Sequence, residues 1–84
     1  MSFHPENWHN ADVSEWLEYV CNQQTVPADD IDVVKEAFIN TDGRSLVALT
    51  MEEFQQRTIK YGGMLHTVFK QMCSNGIFIV YSPF

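Results

Sequence analysis

The sequence predicts an all-α fold: a compact five-helix bundle followed by an extended apolar C-terminal tail. In its first and last thirds, apolar residues recur at positions i, i+3, i+4 and i+7, the spacing of a helix with one buried face. Gly, Pro and helix-cap signals divide the segments between them. The 84 residues make one small domain, and a chain of this size buries only about 60% of its unfolded surface. We therefore expect one core and little room for an enclosed active site.

The first helix is predicted to follow Trp8. Its apolar residues at helical spacing are Val13, Trp16, Leu17 and Val20. Asn10 is the expected N-cap, and the helix should stop near Gln23 or Gln24. Trp8 precedes the cap, where an aromatic ring can fold back over the start of the helix. Both tryptophans are therefore expected to build the core.

Three further segments carry helix signals before the last helix. Pro27 and the acids after it suit the start of a second helix, which carries Ile31, Val34, Ala37 and Phe38. Leu46 and Leu49, after Gly43, predict one short helical turn. Thr50 and Glu53 fit a capping box that begins a short helix carrying Phe54.

The last helix is predicted after a break at Gly62 and Gly63. Its apolar stripe is Leu65, Val68, Phe69 and Met72, and Gly76 can end it in the left-handed conformation. The segment "IFIVYSPF" that follows favours an extended tail that packs on the domain or on a partner. The expected organisation is an N-terminal arm (1–7), a domain (8–76) and the tail (77–84).

The predicted core follows from these stripes. Its members are Trp8, Val13, Trp16, Leu17, Val20, Leu46, Leu49, Phe54, Leu65, Phe69 and Met72.

Charge and composition exclude several classes of function. Residues 1–42 hold nine acidic residues and one basic residue, whereas 43–84 hold two acidic and four basic. Nucleic-acid binding needs clustered Lys and Arg, so no direct nucleic-acid contact is expected. The longest apolar run, "IFIVY", is far short of the roughly 20 residues that span a bilayer, so no membrane contact is expected. Two cysteines fit free thiols in a cytosolic or nuclear protein.

No motif indicates catalysis. His4, His9, His66, Cys21 and Cys73 include no metal-ligand spacing. The acids Asp29, Asp30 and Asp32 lie at a helix start, where carboxylates are favourable for dipole reasons alone. We expect a protein that is not an enzyme, with no catalytic residues, no metal and no cofactor.

Three segments in order carry a family resemblance: "NWHNADVSEWLEYV", "FINTDGRSLVALTMEEFQQR" and "GGMLHTVFKQM". From Trp8 to Met72 the chain resembles the Pointed (PNT) subclass of SAM domains, found in ETS transcription factors and their regulators. Two positions depart from the family pattern. Ile39 stands where the family often has Phe, and His9 stands where it commonly has a Ser or Thr cap. The 84 residues hold no ETS DNA-binding domain, so the resemblance implies a short, mainly nuclear regulator that can also be cytoplasmic.

The resemblance also implies head-to-tail association between SAM domains, through two different surfaces. The mid-loop surface carried over by position is Asp42, Arg44, Ser45, Glu52, Glu53 and Gln56. The end-helix surface is Gly63, Met64, His66 and Thr67. The expected function is binding to the SAM/PNT domain of an ETS-family factor, with regulation of transcription by capping or depolymerising a SAM polymer.

Alternatives remain at this point. A second hypothesis is that the chain is an adaptor that docks a MAP kinase and promotes phosphorylation of an ETS factor. Its local support is the dipeptide Ser82-Pro83. A third makes it the self-polymerising SAM domain of a transcriptional repressor. RNA binding, known in other SAM domains, would need a basic patch, which the acidic first half argues against.

Overall fold

The computed structural model describes residues 4–75. Within this range a 3-10 turn, Pro5–Asn7, precedes five helices. These are α1 (Asn10–Gln23), α2 (Ala28–Ala37), α3 (Gly43–Ala48), α4 (Met51–Arg57) and α5 (Gly62–Asn75). The predicted five-helix, all-α bundle is confirmed. The tail 77–84 and the predicted cap at Gly76 lie outside the described residues.

A chain of aromatic rings forms the centre of the core. The ring centroids of Trp8 and Trp16 are 6.1 Å apart, and Trp16 meets Phe69 edge-on at 5.4 Å. Phe69 continues to Phe54 at 6.3 Å, and Phe54 to Phe38 at 5.6 Å. These rings come from α1, α4 and α5, from the segment before α1 and from the residue that follows α2, so one cluster joins the two ends of the described chain.

The remaining core side chains surround this cluster. Ten of the residues expected in the core are buried, namely Trp8, Val13, Trp16, Leu17, Val20, Leu46, Phe54, Leu65, Phe69 and Met72. Leu49 is half-buried and packs against them. The core also includes five side chains from α1, from α2 and from the connections after them: Cys21, Val26, Ile31, Val34 and Phe38.

The start of α1 corrects one expectation. The N-cap is His9 and not Asn10, which is the first residue of the helix. The His9 backbone N–H donates to Asp12 Oδ2 at 3.0 Å. The cap therefore stays at the position where the family commonly has Ser or Thr, since a carboxylate three residues later can satisfy the backbone of the cap residue.

The end of α1 at Gln23 agrees with the prediction and is followed by an unusual residue. Thr25 has φ 56°, in the left-handed region. Its N–H donates to the Asn22 carbonyl at 3.2 Å, and the Val26 N–H donates to the Cys21 carbonyl at 2.9 Å. This pair of bonds is the Schellman motif, whose left-handed position normally takes glycine. A β-branched residue there strains the backbone.

The turn after α2 decides which of two neighbouring apolar residues enters the core. Phe38 is buried at 3% exposure, whereas Ile39 is 66% exposed. The Arg57 guanidinium lies 5.4 Å from the Phe38 ring centroid, and its Nη1 donates to Thr41 Oγ1 at 2.6 Å. These contacts join the end of α4 to the turn after α2. The side chain of Ile39, one position after Phe38, is exposed to solvent.

Two glycines are required by close backbone approaches. A β-carbon at Gly43 would lie 1.7 Å from the Pro5 carbonyl oxygen, and the Gly43 N–H donates to the Trp8 carbonyl at 2.9 Å. A β-carbon at Gly62 would lie 2.5 Å from the Phe54 carbonyl oxygen. The first contact joins α3 to the 3-10 turn, and the second sets α5 against α4.

The Gly62 contact can be tested with its neighbour as a matched control. Gly62→Ala should lower the free energy of unfolding by about 1–3 kcal/mol, because the backbone of α4 must move to admit the methyl group. A β-carbon at Gly63 meets only Gln55 Nε2 at 3.5 Å. Gly63→Ala should therefore be neutral or raise stability by up to about 1 kcal/mol. Equal effects of the two changes in urea unfolding would contradict this packing.

The left-handed conformation of Thr25 predicts a stabilising substitution. Thr25→Gly should raise the free energy of unfolding by about 0.5 kcal/mol, because relief of the left-handed strain exceeds the entropy cost of glycine. Thr58 is the control, since it caps α4 in an extended conformation with φ −148°. Thr58→Gly should lower stability. A loss of stability in Thr25→Gly by thermal or urea unfolding would argue against the strained turn.

Candidate protein-interaction surfaces

The α3 part of the mid-loop surface is a capped helix start. Asp42 is the N-cap of α3, and its Oδ1 accepts the Ser45 backbone N–H at 2.9 Å. This hydrogen bond holds the pKa of the Asp42 carboxyl below its usual value. Arg44 and Ser45 are exposed beside it. The backbone that presents these two side chains is therefore fixed by its own cap.

The α4 part of the mid-loop surface is also built on a capped start. The Thr50 N–H donates to Glu53 Oε1 at 2.9 Å, and the Glu53 N–H donates to Thr50 Oγ1 at 3.2 Å. The predicted capping box is confirmed. Glu53 is thus engaged by its own helix. Glu52 and Gln56, one turn apart, are exposed and line a shallow groove with Ile59.

The end-helix surface lies on the first turns of α5. Its side chains make more contacts within the protein than those of the mid-loop surface. The His66 ring meets Phe54 edge-on at 5.2 Å between centroids. Thr67 Oγ1 donates to the Gly63 carbonyl at 2.9 Å. Met64 is half-buried and packs against the core. Only Thr67 among the four residues is exposed.

His66 has a perturbed acid–base equilibrium. Burial lowers the pKa of its imidazole, and the positive charge of Lys70 lowers it further. The neutral ring is therefore favoured in the folded protein. A charged ring at this position would also lie near the N-terminal end of α5, where the helix dipole disfavours cations.

A polar cluster that the sequence did not reveal positions the start of α5. The Tyr61 hydroxyl donates to Asp30 Oδ2, and Lys60 Nζ lies 3.5 Å from the same oxygen. The hydrogen bond from Tyr61 lowers the pKa of Asp30, and the Asp30 carboxylate raises the pKa of Tyr61. These contacts join α2 to the residues that enter α5. Asp30 and Tyr61 are 31 positions apart, so no local pattern could have paired them.

Within the described part of the chain, four large apolar side chains are exposed, and they lie outside both candidate surfaces. They are Val33, Ile39, Val47 and Ile59. Helical periodicity could have identified Val33 as outward-facing, since it falls off the Ile31 and Val34 stripe. The side chain of Ile59 is 89% exposed in the connection between α4 and α5, where no periodicity applies.

Two features of other classes of protein are absent from residues 4–75. No helix there is long and apolar enough to cross a membrane. In the same part of the chain, no three His, Cys, Asp or Glu side chains converge as metal ligands would.

A five-helix bundle whose capped helix starts present exposed polar side chains is suited to binding other proteins. The family model described as "Sterile alpha motif (SAM)/Pointed domain" matches residues 1–76. The chain therefore belongs to the SAM/Pointed domain family.

The chain is also similar to part of a curated transcription factor. It is 31% identical over 75 residues to the ETS-related transcription factor Elf-5 of cattle, and 29% identical over 75 residues to human Elf-5. Each match covers 89% of this chain, 28% of the cattle protein and 27% of the human protein. The chain thus spans less than a third of these relatives. No solved structure matches it significantly.

The lowered pKa of His66 predicts a specific pH dependence of stability. In the unfolded chain the ring binds a proton as the pH falls through its ordinary pKa near 6.5. In the folded protein it does so only at lower pH. The contribution of His66 to the free energy of unfolding is therefore complete above pH 6.5. It is lost as the pH falls from there through the pKa of His66 in the folded protein.

This dependence can be measured by urea unfolding at about pH 7.5 and about pH 5, above the range in which most carboxylates titrate. His66→Phe keeps a ring against Phe54 but cannot bind a proton. Its loss of stability between the two pH values should be smaller than that of the unmodified protein. An identical loss in both proteins would show that His66 is not the titrating group.

Proposed function

We propose that this protein is a non-catalytic interaction module that binds the SAM/PNT domain of an ETS-family transcription factor head to tail and thereby regulates transcription. The observation that carries the proposal is the SAM/Pointed match over residues 1–76, joined to similarity with an ETS-related factor. A nuclear location follows from such a partner, and an additional cytoplasmic location stays a prediction. The protein would resemble the fruit-fly modulator of ETS activity, a short regulator.

The mid-loop surface is the better candidate for the competent one. Arg44, Ser45 and Glu52 are exposed and belong to helices whose starts are fixed by caps. The end-helix side chains are instead engaged within the chain, His66 by Phe54 and Met64 by the core. A surface that is already exposed and ordered loses little entropy on binding.

Charge supports the same choice. The mid-loop surface holds three carboxylates and one guanidinium, so it is net acidic. In head-to-tail association it faces the N-terminus of the partner's last helix, whose dipole favours negative charge. An acidic mid-loop surface and a helix N-terminus are thus electrostatically complementary.

A module with one competent surface acts on polymers by mass action. It occupies the end of a partner's chain and offers no second surface for the next subunit. Because binding withdraws free ends, a sufficient excess of the module shifts the partner from polymers to one-to-one complexes. Docking of a MAP kinase through Ser82-Pro83 stays a prediction, since that dipeptide lies outside the described residues.

Two substitutions separate the surfaces. Ser45→Arg should weaken binding to an ETS-family SAM domain by about tenfold or more, which corresponds to about 1.4 kcal/mol. The change replaces a small side chain with a large one, and the new positive charge opposes the N-terminus of the partner's last helix. Within the protein, Ser45 is exposed and lies beside the Asp42 carboxylate, which attracts a cation. Loss of binding would therefore not be loss of fold, and a thermal melt would check this.

Met64→Arg on the end-helix surface should leave the affinity within about twofold, a difference below about 0.5 kcal/mol. Thr67→Arg, at an exposed position on the same surface, is a second variant in case the half-buried Met64 affects stability. Calorimetry with the unmodified and variant chains provides the dissociation constants. If Ser45→Arg binds normally while either end-helix variant does not, the competent surface is the end-helix surface. If none of the three changes matters, the head-to-tail assignment is wrong.

A further inference from the structure

The outward side of α2 presents acidic and apolar side chains together. We call this set the α2 face: Asp29, Asp32, Val33 and Glu36 on α2, and Ile39 in the turn after it, all of them exposed. The four helical residues lie on the side of α2 opposite the buried Ile31 and Val34. None of its residues belongs to the mid-loop or end-helix surface.

The stability of the fold does not account for this face. Val33 is 64% exposed, and valine is a poorer helix former than alanine at a solvent-facing position. Glu36 lies near the end of α2, where the helix dipole disfavours a carboxylate. Ile39 is 66% exposed although Phe38 beside it fills the core. If the only role of α2 were to pack in the bundle, other residues at these three positions would make the protein more stable.

The two lysines beside the face do not neutralise its three carboxylates. Lys35 Nζ lies 2.7 Å from Glu18 Oε1, outside the face, and its charge also attracts Asp32. Lys60 Nζ lies 3.5 Å from Asp30 Oδ2, which is also outside the face. The face keeps a net negative charge, which attracts a basic partner.

Apolar surface lies next to these charges on both sides of α2. Ile39 lines a groove with Asp32 and Glu36 near the start of α1. Val33 lines another groove with Ile59, which belongs to the connection between α4 and α5. Aliphatic side chains from a partner could enter beside Val33 and Ile39 while its cations meet the carboxylates.

We propose that the α2 face binds a basic amphipathic helix of a partner protein, with lysine or arginine on Asp29, Asp32 and Glu36 and aliphatic side chains on Val33 and Ile39. Recognition of an amphipathic helix in a groove is a common binding mode. The proposal goes beyond head-to-tail association, because it uses a third surface and a partner of different chemistry.

The test uses a synthetic helix-forming peptide of roughly 14 residues, long enough for a stable amphipathic helix, made of leucine on one face and lysine on the other. Added to the isotopically labelled full chain, it should shift amide resonances centred on residues 28–40. The double variant Val33→Ser/Ile39→Ser should bind it at least about tenfold more weakly by calorimetry. Raising salt from about 50 to about 300 mM should also weaken binding.

Matched controls separate recognition from general stickiness or loss of fold. Val47 is an exposed valine on α3, and Val47→Ser should leave the affinity within about twofold. Val33→Ala favours helix formation and should still weaken binding. A peptide of equal charge with serine in place of leucine should bind at least about tenfold more weakly.

Four results would overturn the proposal: an effect of Val47→Ser as large as that of the double variant, equal binding of the serine peptide, resonance shifts centred on α5, or altered self-association of the protein alone in the double variant. The last result would identify a second copy of this chain as the occupant. No ETS-family SAM domain enters the assay, so its outcome is independent of the proposed function.

Discussion

The aromatic cluster that runs from Trp8 through Trp16, Phe69 and Phe54 to Phe38 is the interaction on which the rest of the structure depends. Each ring touches the next at centroid separations between 5.4 and 6.3 Å. Large aromatic side chains contribute the most buried area per residue, which matters in a domain of 84 residues with little core to spare. Because the tryptophans and phenylalanines of residues 4–75 all lie in this centre, the surfaces of that part of the chain consist of polar residues and a few aliphatic ones.

Close contacts at the helix ends fix how the helices sit on the core, and so fix which side chains form the surfaces. Gly43 lets α3 approach the 3-10 turn, and Gly62 lets α5 approach α4. The caps Asp42 and Thr50 fix the backbone on which the mid-loop side chains stand. The same logic leaves α2 exposed on one side, since only Ile31 and Val34 are needed inward. Candidate binding surfaces are thus the parts of each helix that packing does not use.

Local patterns predicted much of this structure and missed what depends on distant contacts. The stripe from Val13 to Val20 and the Thr50–Glu53 capping box are complete within a few residues, so the sequence was sufficient for them. The N-cap at His9 depends on a hydrogen bond from its backbone N–H to Asp12. Histidine is not a typical N-cap residue, so the residue type did not indicate this position. Thr25 adopts a conformation typical of glycine because the Schellman bonds after α1 hold it there. The resemblance of the sequence to a known family was enough to name the candidate surfaces. It could not show that the His66 ring packs against Phe54 or that the Ile39 side chain is exposed.

Sedimentation velocity of the protein, alone and mixed with a polymer-forming SAM domain of an ETS-family factor, tests the central claim of a one-sided cap most directly. The account predicts a monomer at all concentrations when the protein is alone. Added to the partner, it should convert polymers into one-to-one complexes in proportion to its concentration. A ladder of species formed by the protein alone, or partner polymers that lengthen when it is added, would contradict the claim, because both results require two competent surfaces.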